Sequence, residues 1–282
     1  MNNNILELNS KVNELTIEDS YIHGDDFSLE YILDILTKLE NIFNLLRKEV
    51  HSTSIGSEAD EIIFFKELKP SLLSKLLYYK EIYSLEVRNT AINKEMQKKY
   101  YQNKVERIKT YFDDNLSIYE YYRSKANYMD KLYFLRGQFN FKHCLNCINF
   151  DRDPKFSTCY DHKFAMIMCY DMLSIHIEKK LHNLERLELV EKHRKDLPKH
   201  PFRWTDSKTA AVELGYAIYA RGSLNNGNAD IKEIMTYLEA AFDIDLEDYY
   251  RTFYSLKNRK KSQITYLDSL KEALQKKIDD DS

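Results

Sequence analysis

Apolar residues recur at every third or fourth position through almost the whole of this chain. That spacing places them on one face of an α-helix, so it predicts helices rather than strands. Only 6 glycines and 4 prolines are present in the 282 residues, which is far below ordinary usage. The pattern therefore predicts an all-α protein with short connections between its helices.

The first clear amphipathic helix is predicted over residues 28–50, with Ser28 as its N-terminal cap. Its inner stripe is predicted to contain six apolar residues: Leu29, Ile32, Leu33, Leu36, Leu39 and Phe43. Because proline disrupts a helix interior, we expect a break around Pro70 and a second helix from near Ser71. Another break is expected in the segment "FDDNLS", where Asp114 or Asn115 can cap the following turn.

A long helix is predicted over residues 158–192, and two prolines with clustered charge follow it. This change of composition predicts a domain boundary near Leu197 to Pro201, so that residues 1–197 and 202–282 form two helical domains. In the second domain, two helices of about a dozen residues are joined by roughly four residues, which fits a helix-turn-helix motif. They are predicted at 229–242 and 246–257, and the second would enter the DNA major groove.

The second helix of this pair is predicted to have Asp245 as its cap. Its inner stripe is predicted to be Leu246, Tyr249, Tyr250, Phe253 and Leu256. A capping box formed by Thr265 and Asp268 predicts the start of a last helix. We expect that helix to bury four apolar residues: Leu267, Leu270, Leu274 and Ile278.

The chain has a formal net charge of -3 and a pI of about 6.3, so only a local patch could attract nucleic acid. Side chains predicted to reach DNA bases and phosphates are Arg251, Thr252, Ser255 and Asn258. Phosphate contacts are predicted for Lys257, Arg259, Lys260, Lys261, Ser262, Gln263 and Thr265. Acidic Glu247 and Asp248 would repel phosphates at the start of this helix unless they turn aside. The alternative is a solvated helix end, where cations complement the helix dipole.

Three cysteines and one histidine have spacing that could hold a tetrahedral zinc ion: Cys144, Cys147, Cys159 and His162. Cysteine is also often a small buried hydrophobe, and packing is the interpretation we favour. We expect no metal and no cofactor, and we expect the four cysteines to be reduced.

Sequence motifs for catalysis are missing: there is no G-x-S-x-G, no H-E-x-x-H and no glycine-rich phosphate loop. We therefore expect a protein that is not an enzyme. No apolar run approaches the roughly 18 residues of a membrane span, and the N-terminus lacks a signal-peptide pattern. These features predict a cytoplasmic location.

The C-terminal segments resemble those of the RteC family, transcriptional regulators of Bacteroides-type conjugative transposons. The resemblance is carried by Trp204-Thr205, Glu213-Leu214, Asn226-Gly227, Ala229-Asp230-Ile231, Tyr250-Arg251-Thr252-Phe253, Asn258-Arg259-Lys260 and Thr265 through Leu267. Upstream, "EIIFFKELKP", "YEYYRS", "DKLYFLRG" and "DPKFSTCYDHKFA" extend it back to about Glu61. The cysteines at 144, 147 and 159 are not part of the family pattern, and larger apolar residues are usual there in place of Gly215.

This resemblance implies a mostly helical two-domain protein whose C-terminal helix-turn-helix binds a promoter element and activates genes for excision of the mobile element. The partner it implies is double-stranded DNA rather than a membrane, with a homodimer on inverted half-sites as one arrangement. The competing hypothesis is a helical protein-interaction adaptor that does not bind DNA. In that case the basic segment is only a capped, solvated helix end.

Overall fold

The computed structural model describes residues 5–8, 10–14, 28–89, 93–138, 153–195, 202–259 and 262–280. Every regular element in these ranges is helical, which confirms the all-α prediction. The chain divides into two compact units, Met1–Lys180 and Leu181–Ser282. The boundary predicted near Leu197 to Pro201 lies outside the described residues.

Besides helical stretches at 5–8 and 10–14, the first unit contains α1 (Leu29–Ser52), α2 (Glu58–Ile63), α3 (Lys69–Arg88), α4 (Lys94–Asp114), α5 (Leu116–Arg123), α6 (Asp130–Phe134) and the first part of α7 (Asp161–Lys195). The second unit contains the rest of α7, then α8 (Lys208–Arg221), α9 (Ile231–Phe242), α10 (Tyr249–Lys257) and α11 (Thr265–Asp280). None of the described helices is both long enough and apolar enough to cross a membrane.

The cap predicted for α1 is confirmed, because the side chain of Ser28 accepts a hydrogen bond from the Tyr31 N–H at 3.2 Å. The predicted inner stripe is only partly right, since Leu29 and Leu33 are exposed. The residues that α1 buries are Ile32, Ile35, Leu39, Leu46 and Val50. The buried face is rotated because α1 packs on α3, and a repeat of three and four fits either of two adjacent faces.

The break predicted at Pro70 is wrong, because the chain stays helical through residues 58–88. A π-helical turn, Phe64–Leu68, joins α2 to α3, and its last hydrogen bond runs from the Lys69 N–H to the Phe64 carbonyl. Pro70 therefore lies in the first turn of α3. Proline is tolerated in the first turn of an α-helix, and here the π-helical turn before it interrupts the regular hydrogen bonding between residues four positions apart.

The break predicted between α4 and α5 is confirmed, but the predicted cap is wrong. The side-chain amide of Asn115 donates to the Tyr111 carbonyl at 2.9 Å, so it closes the end of α4. No side chain caps the start of α5. A residue between two helices can cap either one. Here both the side-chain amide and the backbone N–H of Asn115 donate to the Tyr111 carbonyl in the last turn of α4.

Three ion pairs with mostly buried side chains hold the first unit together: Glu61–Arg136, Lys66–Asp130 and Lys69–Asp161. Lys69 and Asp161 are almost fully buried, and Lys69 Nζ also donates to the Phe156 carbonyl. Buried charges persist only when they are paired and hydrogen-bonded. These pairs therefore fix how α2, the π-helical turn, the start of α3, α6 and the start of α7 pack together.

Candidate nucleic-acid interface

The helix α10 lies on an apolar core that it shares with α8 and α9. The core residues that these three helices and the connection before α10 bury include Val212, Met235, Leu238, Leu246, Tyr249 and Leu256. The rings of Tyr216 and Phe253 stack with centroids 3.6 Å apart and planes 9° apart. Gly215 lets α8 and α9 approach closely, because a Cβ there would lie 2.7 Å from Cε of Met235. These contacts hold one side of α10 in place.

The connection between α9 and α10 covers residues 243–248 and is longer than the four residues predicted. Asp243 ends α9 in the left-handed conformation, with φ 46° and ψ 49°, and Glu247 has φ 42°. Residues other than glycine adopt this conformation only where surrounding contacts hold it. The connection is thus a specific turn that needs support from neighbouring side chains.

That support comes from a buried carboxylate and a buried guanidinium. Glu239 Oε1 accepts a hydrogen bond from the Leu246 N–H at 2.8 Å and another from Arg186. Arg186 also donates to Asp245 at 2.9 Å. Burial raises the pKa of the Glu239 carboxyl above its ordinary value. For Asp245, burial raises the pKa but the bonds from Arg186 and the Glu247 N–H outweigh it, so this pKa is lowered.

The cap of α10 is Asp248 and not the predicted Asp245, because Asp245 is already bonded to Arg186. The carboxylate of Asp248 accepts from the Arg251 N–H at 2.9 Å, so its charge faces the helix N-terminus. Glu247 remains largely exposed and lies 4.0 Å from Lys208 Nζ. Of the two acids expected to repel phosphates, one is therefore turned towards the helix backbone and the other lies beside a cation.

An outer stripe consists of four exposed residues at i, i+3, i+4 and i+7: Arg251, Tyr254 and Ser255 on α10, and Asn258, which is its C-terminal cap. The exposure expected for Arg251, Ser255 and Asn258 is confirmed, whereas Thr252 is half-buried and its hydroxyl donates to the Asp248 carbonyl at 3.1 Å. A guanidinium and a carboxamide on one stripe are groups that recognise guanine and adenine edges.

Two tyrosines on the exposed side of α10 were missed from the sequence. Tyr250 was predicted to be buried, but it is 51% exposed, and Tyr254 is 68% exposed. Both tyrosines lie among other aromatic residues, so the apolar pattern does not separate them from the buried ones. Tyr254, however, lies three positions after Arg251, and this spacing predicts that the two share one side of the helix. A phenolic hydroxyl is a common phosphate ligand.

Described residues on either side of Lys260 and Lys261 contact one another. Lys257 Nζ lies 5.8 Å from the centroid of the Phe253 ring, and the Lys257 carbonyl accepts from the Gln263 amide at 2.6 Å. Arg259 donates to the Thr265 hydroxyl at 3.3 Å, which places this cation at the first turn of α11. Thus Gln263 and Thr265, predicted as phosphate ligands, both have partners within the segment.

Two of the predicted phosphate ligands, Lys260 and Lys261, lie outside the described residues. Ser262, immediately after them, donates its hydroxyl to Asp268 at 3.2 Å. The described cations nearest to the outer stripe in sequence, Lys257 and Arg259, are both exposed. Solvent-exposed cations that follow a helix of this kind can neutralise phosphates.

The last helix, α11, starts against α8. The buried carboxylate of Glu213 accepts a hydrogen bond from the Leu267 N–H at 2.9 Å. A residue of another helix thus supplies the acceptor for a backbone N–H in the first turn of α11. The predicted capping box is not formed, because Thr265 is already the first residue of the helix and Asp268 bonds to Ser262. The predicted burial of the apolar stripe is also wrong: Leu270, Leu274 and Ile278 are exposed.

The zinc candidates are not all covered by the structure. Cys144 and Cys147 lie outside the described residues, whereas Cys159 is buried and His162 is exposed. No group of three or more metal-ligating side chains comes together in the ranges that the structure describes. Cys159 lies just before α7 and packs against Tyr160.

A protein-family model described as "RteC protein" matches residues 63–282 of the chain. This is well over half of the sequence. The chain belongs to the RteC family. The resemblance found in the sequence, from about Glu61 to the end, is thereby confirmed. No curated protein and no solved structure shows significant similarity to the chain.

Segments that carry the RteC resemblance contact one another in the structure. The segment containing Glu213 binds the segment Thr265 through Leu267 at the start of α11. In the first unit, Lys66 from "EIIFFKELKP" pairs with Asp130 from "DKLYFLRG" at 2.7 Å. In these two contacts, segments that carry the resemblance hold helices together, whereas Tyr250 and Arg251 of the segment on α10 are exposed.

Proposed function

We propose that this RteC-family chain is a DNA-binding transcription regulator. In this proposal α9 and α10 act as a helix-turn-helix that binds a promoter-upstream element and activates excision or mobilisation genes of a conjugative transposon. The observation that carries it is the outer stripe of α10, where Arg251, Ser255 and Asn258 are exposed together. Family membership supports the regulatory role.

The chemistry of the stripe suits the DNA major groove. Arginine binds the O6 and N7 atoms of guanine in a bidentate way, and asparagine does the same at adenine N6 and N7. Each such contact discriminates by about 1–3 kcal/mol against the wrong base. Tyr254 supplies a hydroxyl for phosphates, and the following cations, Lys257 and Arg259, supply charge. The Ser255 hydroxyl donates to the Arg251 carbonyl at 3.0 Å, so it would have to exchange this bond for one to DNA.

The remaining parts of the proposal follow from this role. A regulator of this kind acts in the cytoplasm, catalyses no reaction and needs no cofactor. A homodimer on inverted half-sites would place one outer stripe on each half-site, since the symmetry of a dimer matches that of a palindromic operator. The first unit would then make partner contacts or mediate self-association.

The test is fluorescence anisotropy with labelled duplexes from the region upstream of the neighbouring genes and with a scrambled duplex. We expect the chain to bind, and we expect the logarithm of the association constant to fall linearly with the logarithm of the salt concentration. Arg251→Ala should reduce the preference for the upstream duplex. The matched control is Arg107→Ala, which removes an exposed arginine from α4 in the first unit. Absence of binding by the intact chain at low salt would refute the proposal.

The competing function, a protein-interaction adaptor, is favoured by one observation, the exposed apolar side of α11. An adaptor would leave the duplexes unbound at every salt concentration. It would also make Arg251→Ala and the Arg107→Ala control indistinguishable.

A further inference from the structure

The guanidinium of Arg186 is bonded through each of its nitrogen atoms, although its helix, α7, is not one of the two helices proposed to bind DNA. Its Nε and Nη2 atoms donate to the side-chain carbonyl of Asn183, one turn earlier on α7, at 3.2 and 2.9 Å. Its Nη1 atom donates to Glu239 on α9 and to Asp245 in the connection before α10. Arg186 is therefore held in one orientation, in which it joins α9 to that connection.

The side chains of Arg186 and Glu239 are too deeply buried to touch DNA, since they are 5% and 2% exposed. Any effect that they have on DNA binding must pass through the groups that they hold. One such group is the Leu246 N–H, which donates to Glu239 Oε1 at 2.8 Å. The other is the carboxylate of Asp245, which also accepts from the Glu247 N–H at 3.1 Å.

Both of these backbone hydrogen bonds lie where α10 begins. Leu246 and Glu247 come immediately before Asp248, which is the cap of the helix. Along the inner side of α10, packing is mainly apolar, and the hydrophobic effect has no preferred direction. Hydrogen bonds are directional, so the network constrains where α10 begins and how the helix is turned about its axis.

Recognition of bases depends on this orientation more strictly than attraction to phosphates does. A bidentate bond from Arg251 or Asn258 to a base edge forms only in a narrow range of positions. Attraction between cations and phosphates is independent of the base sequence, and flexible lysine side chains can reach phosphates from many positions. A displaced α10 would thus stay attracted to DNA but lose its preference for one sequence.

We propose that Arg186, oriented by Asn183, is a positioning residue for base recognition by α10. It sets the preference for one base sequence over another and leaves the general attraction to DNA unchanged. This inference rests on the proposed function, because it concerns the same outer stripe. It assigns part of the sequence discrimination to a residue of α7 that does not contact DNA.

The main test is the double variant Arg186→Met with Glu239→Leu, which replaces the buried pair by apolar side chains. The net charge of the chain is unchanged, the 55% exposed side chain of Asp245 can turn to solvent, and such replacements often preserve stability. Fluorescence anisotropy with the upstream and scrambled duplexes should give the wild-type salt slope. The preference for the upstream duplex should fall roughly 5-fold or more, because one bidentate base contact is worth about 5- to 150-fold.

The matched control makes the same two replacements in an ion pair of the first unit, with Lys104→Met and Glu81→Leu. It is also neutral in net charge, and it should keep the wild-type preference. Urea unfolding followed by tryptophan emission is measured for both double variants. A preference that is lost at the wild-type urea midpoint cannot be explained by unfolding.

A second variant, Asn183→Ala, decides the matter if the double variant is unstable. Asn183 is exposed, so this substitution frees the guanidinium of Arg186 without opening a cavity. It should reduce the preference, by less than the double variant does, at the wild-type urea midpoint and salt slope. Its control is His182→Ala, at the exposed neighbouring residue, which should keep the preference.

Hydrogen exchange without DNA tests the positioning step by itself. In the double variant, the backbone amides of residues 244–248 should exchange faster than in the wild type, because the Leu246 N–H has lost its acceptor. Amides within α8 should exchange as in the wild type. Unchanged exchange in the connection would overturn the inference whatever the DNA measurements give.

The DNA measurements separate this inference from the proposed function. If the wild type prefers the upstream duplex and the folded double variant prefers it equally, the inference is wrong and the proposed function stands. If the double variant does not fold, a wild-type preference in Asn183→Ala has the same consequence. A wild type that binds neither duplex, or both equally, refutes the proposed function and this inference with it.

Discussion

We expect the buried ion pair between Arg186 and Glu239 to contribute strongly to the unfolding free energy of the second unit. Glu239→Ala removes the acceptor of the Leu246 N–H and leaves Arg186 with Asp245 as its remaining acidic partner among the described residues. Both side chains of the pair are at most 5% exposed. Breaking a buried pair in this way costs about 3–5 kcal/mol of unfolding free energy.

This loss is large on the scale of a domain, whose unfolding free energy is about 5–15 kcal/mol. With a urea dependence of about 2 kcal/mol per molar, the midpoint of unfolding should fall by roughly 2 M. Trp204 is the only tryptophan in the chain and packs against Phe242 and Tyr266, so its emission reports on the second unit. Urea titration followed by tryptophan emission therefore measures the effect where it occurs.

The matched control is Arg194→Ala, on the same helix. Arg194 pairs with Asp243, but these side chains are 50% and 52% exposed, so the loss should be at most about 1 kcal/mol. A second comparison replaces both buried partners, with Arg186→Met and Glu239→Leu together, and should recover much of the lost stability. If Glu239→Ala lowers the midpoint no more than Arg194→Ala does, the pair does not hold the turn and this reasoning is wrong.

Three further predictions concern other parts of the chain. Lys261→Ala should weaken binding to all duplexes and reduce the slope of log binding constant against log salt concentration by about one unit. Arg251→Ala should instead lose about 1–3 kcal/mol of the preference for the upstream duplex over the scrambled one. If both variants lose affinity and preference equally, these roles are wrong. Gly215→Leu should overpack the contact between α8 and α9 and cost about 1–3 kcal/mol in urea unfolding; unchanged stability would show that Met235 moves aside freely. Burial raises the pKa of Glu61, but bonds from Arg136 outweigh it and leave the pKa lowered. The stabilisation from the ionised Glu61 carboxylate should therefore be present above the ordinary pKa of glutamate and be lost as pH falls through the pKa of the folded state. Between about pH 5 and 3, the wild type should lose more unfolding free energy, measured by circular dichroism, than Glu61→Gln does. Parallel pH curves for the two proteins would contradict this prediction.

Much of the fold could be predicted from the sequence because helical periodicity is local. The helical segments, the cap at Ser28 and the break before α5 all depend on residues within a few positions of each other. The candidate site was predicted in part for the same reason, since three of its four base-contacting candidates are exposed as expected. Prediction was wrong for Tyr250, because an aromatic residue at the margin of an apolar stripe fits either side of the helix.

The sequence by itself determined that the chain is helical and that it belongs to the RteC family. Only the tertiary structure decided which acid caps α10 and whether the stripe of α11 is covered. Asp245 and Asp248 are equivalent caps in the sequence, but Arg186, 59 residues before Asp245, takes the first and leaves the second. A repeat of apolar residues specifies which side of a helix can be buried, but it does not specify the surface that buries it.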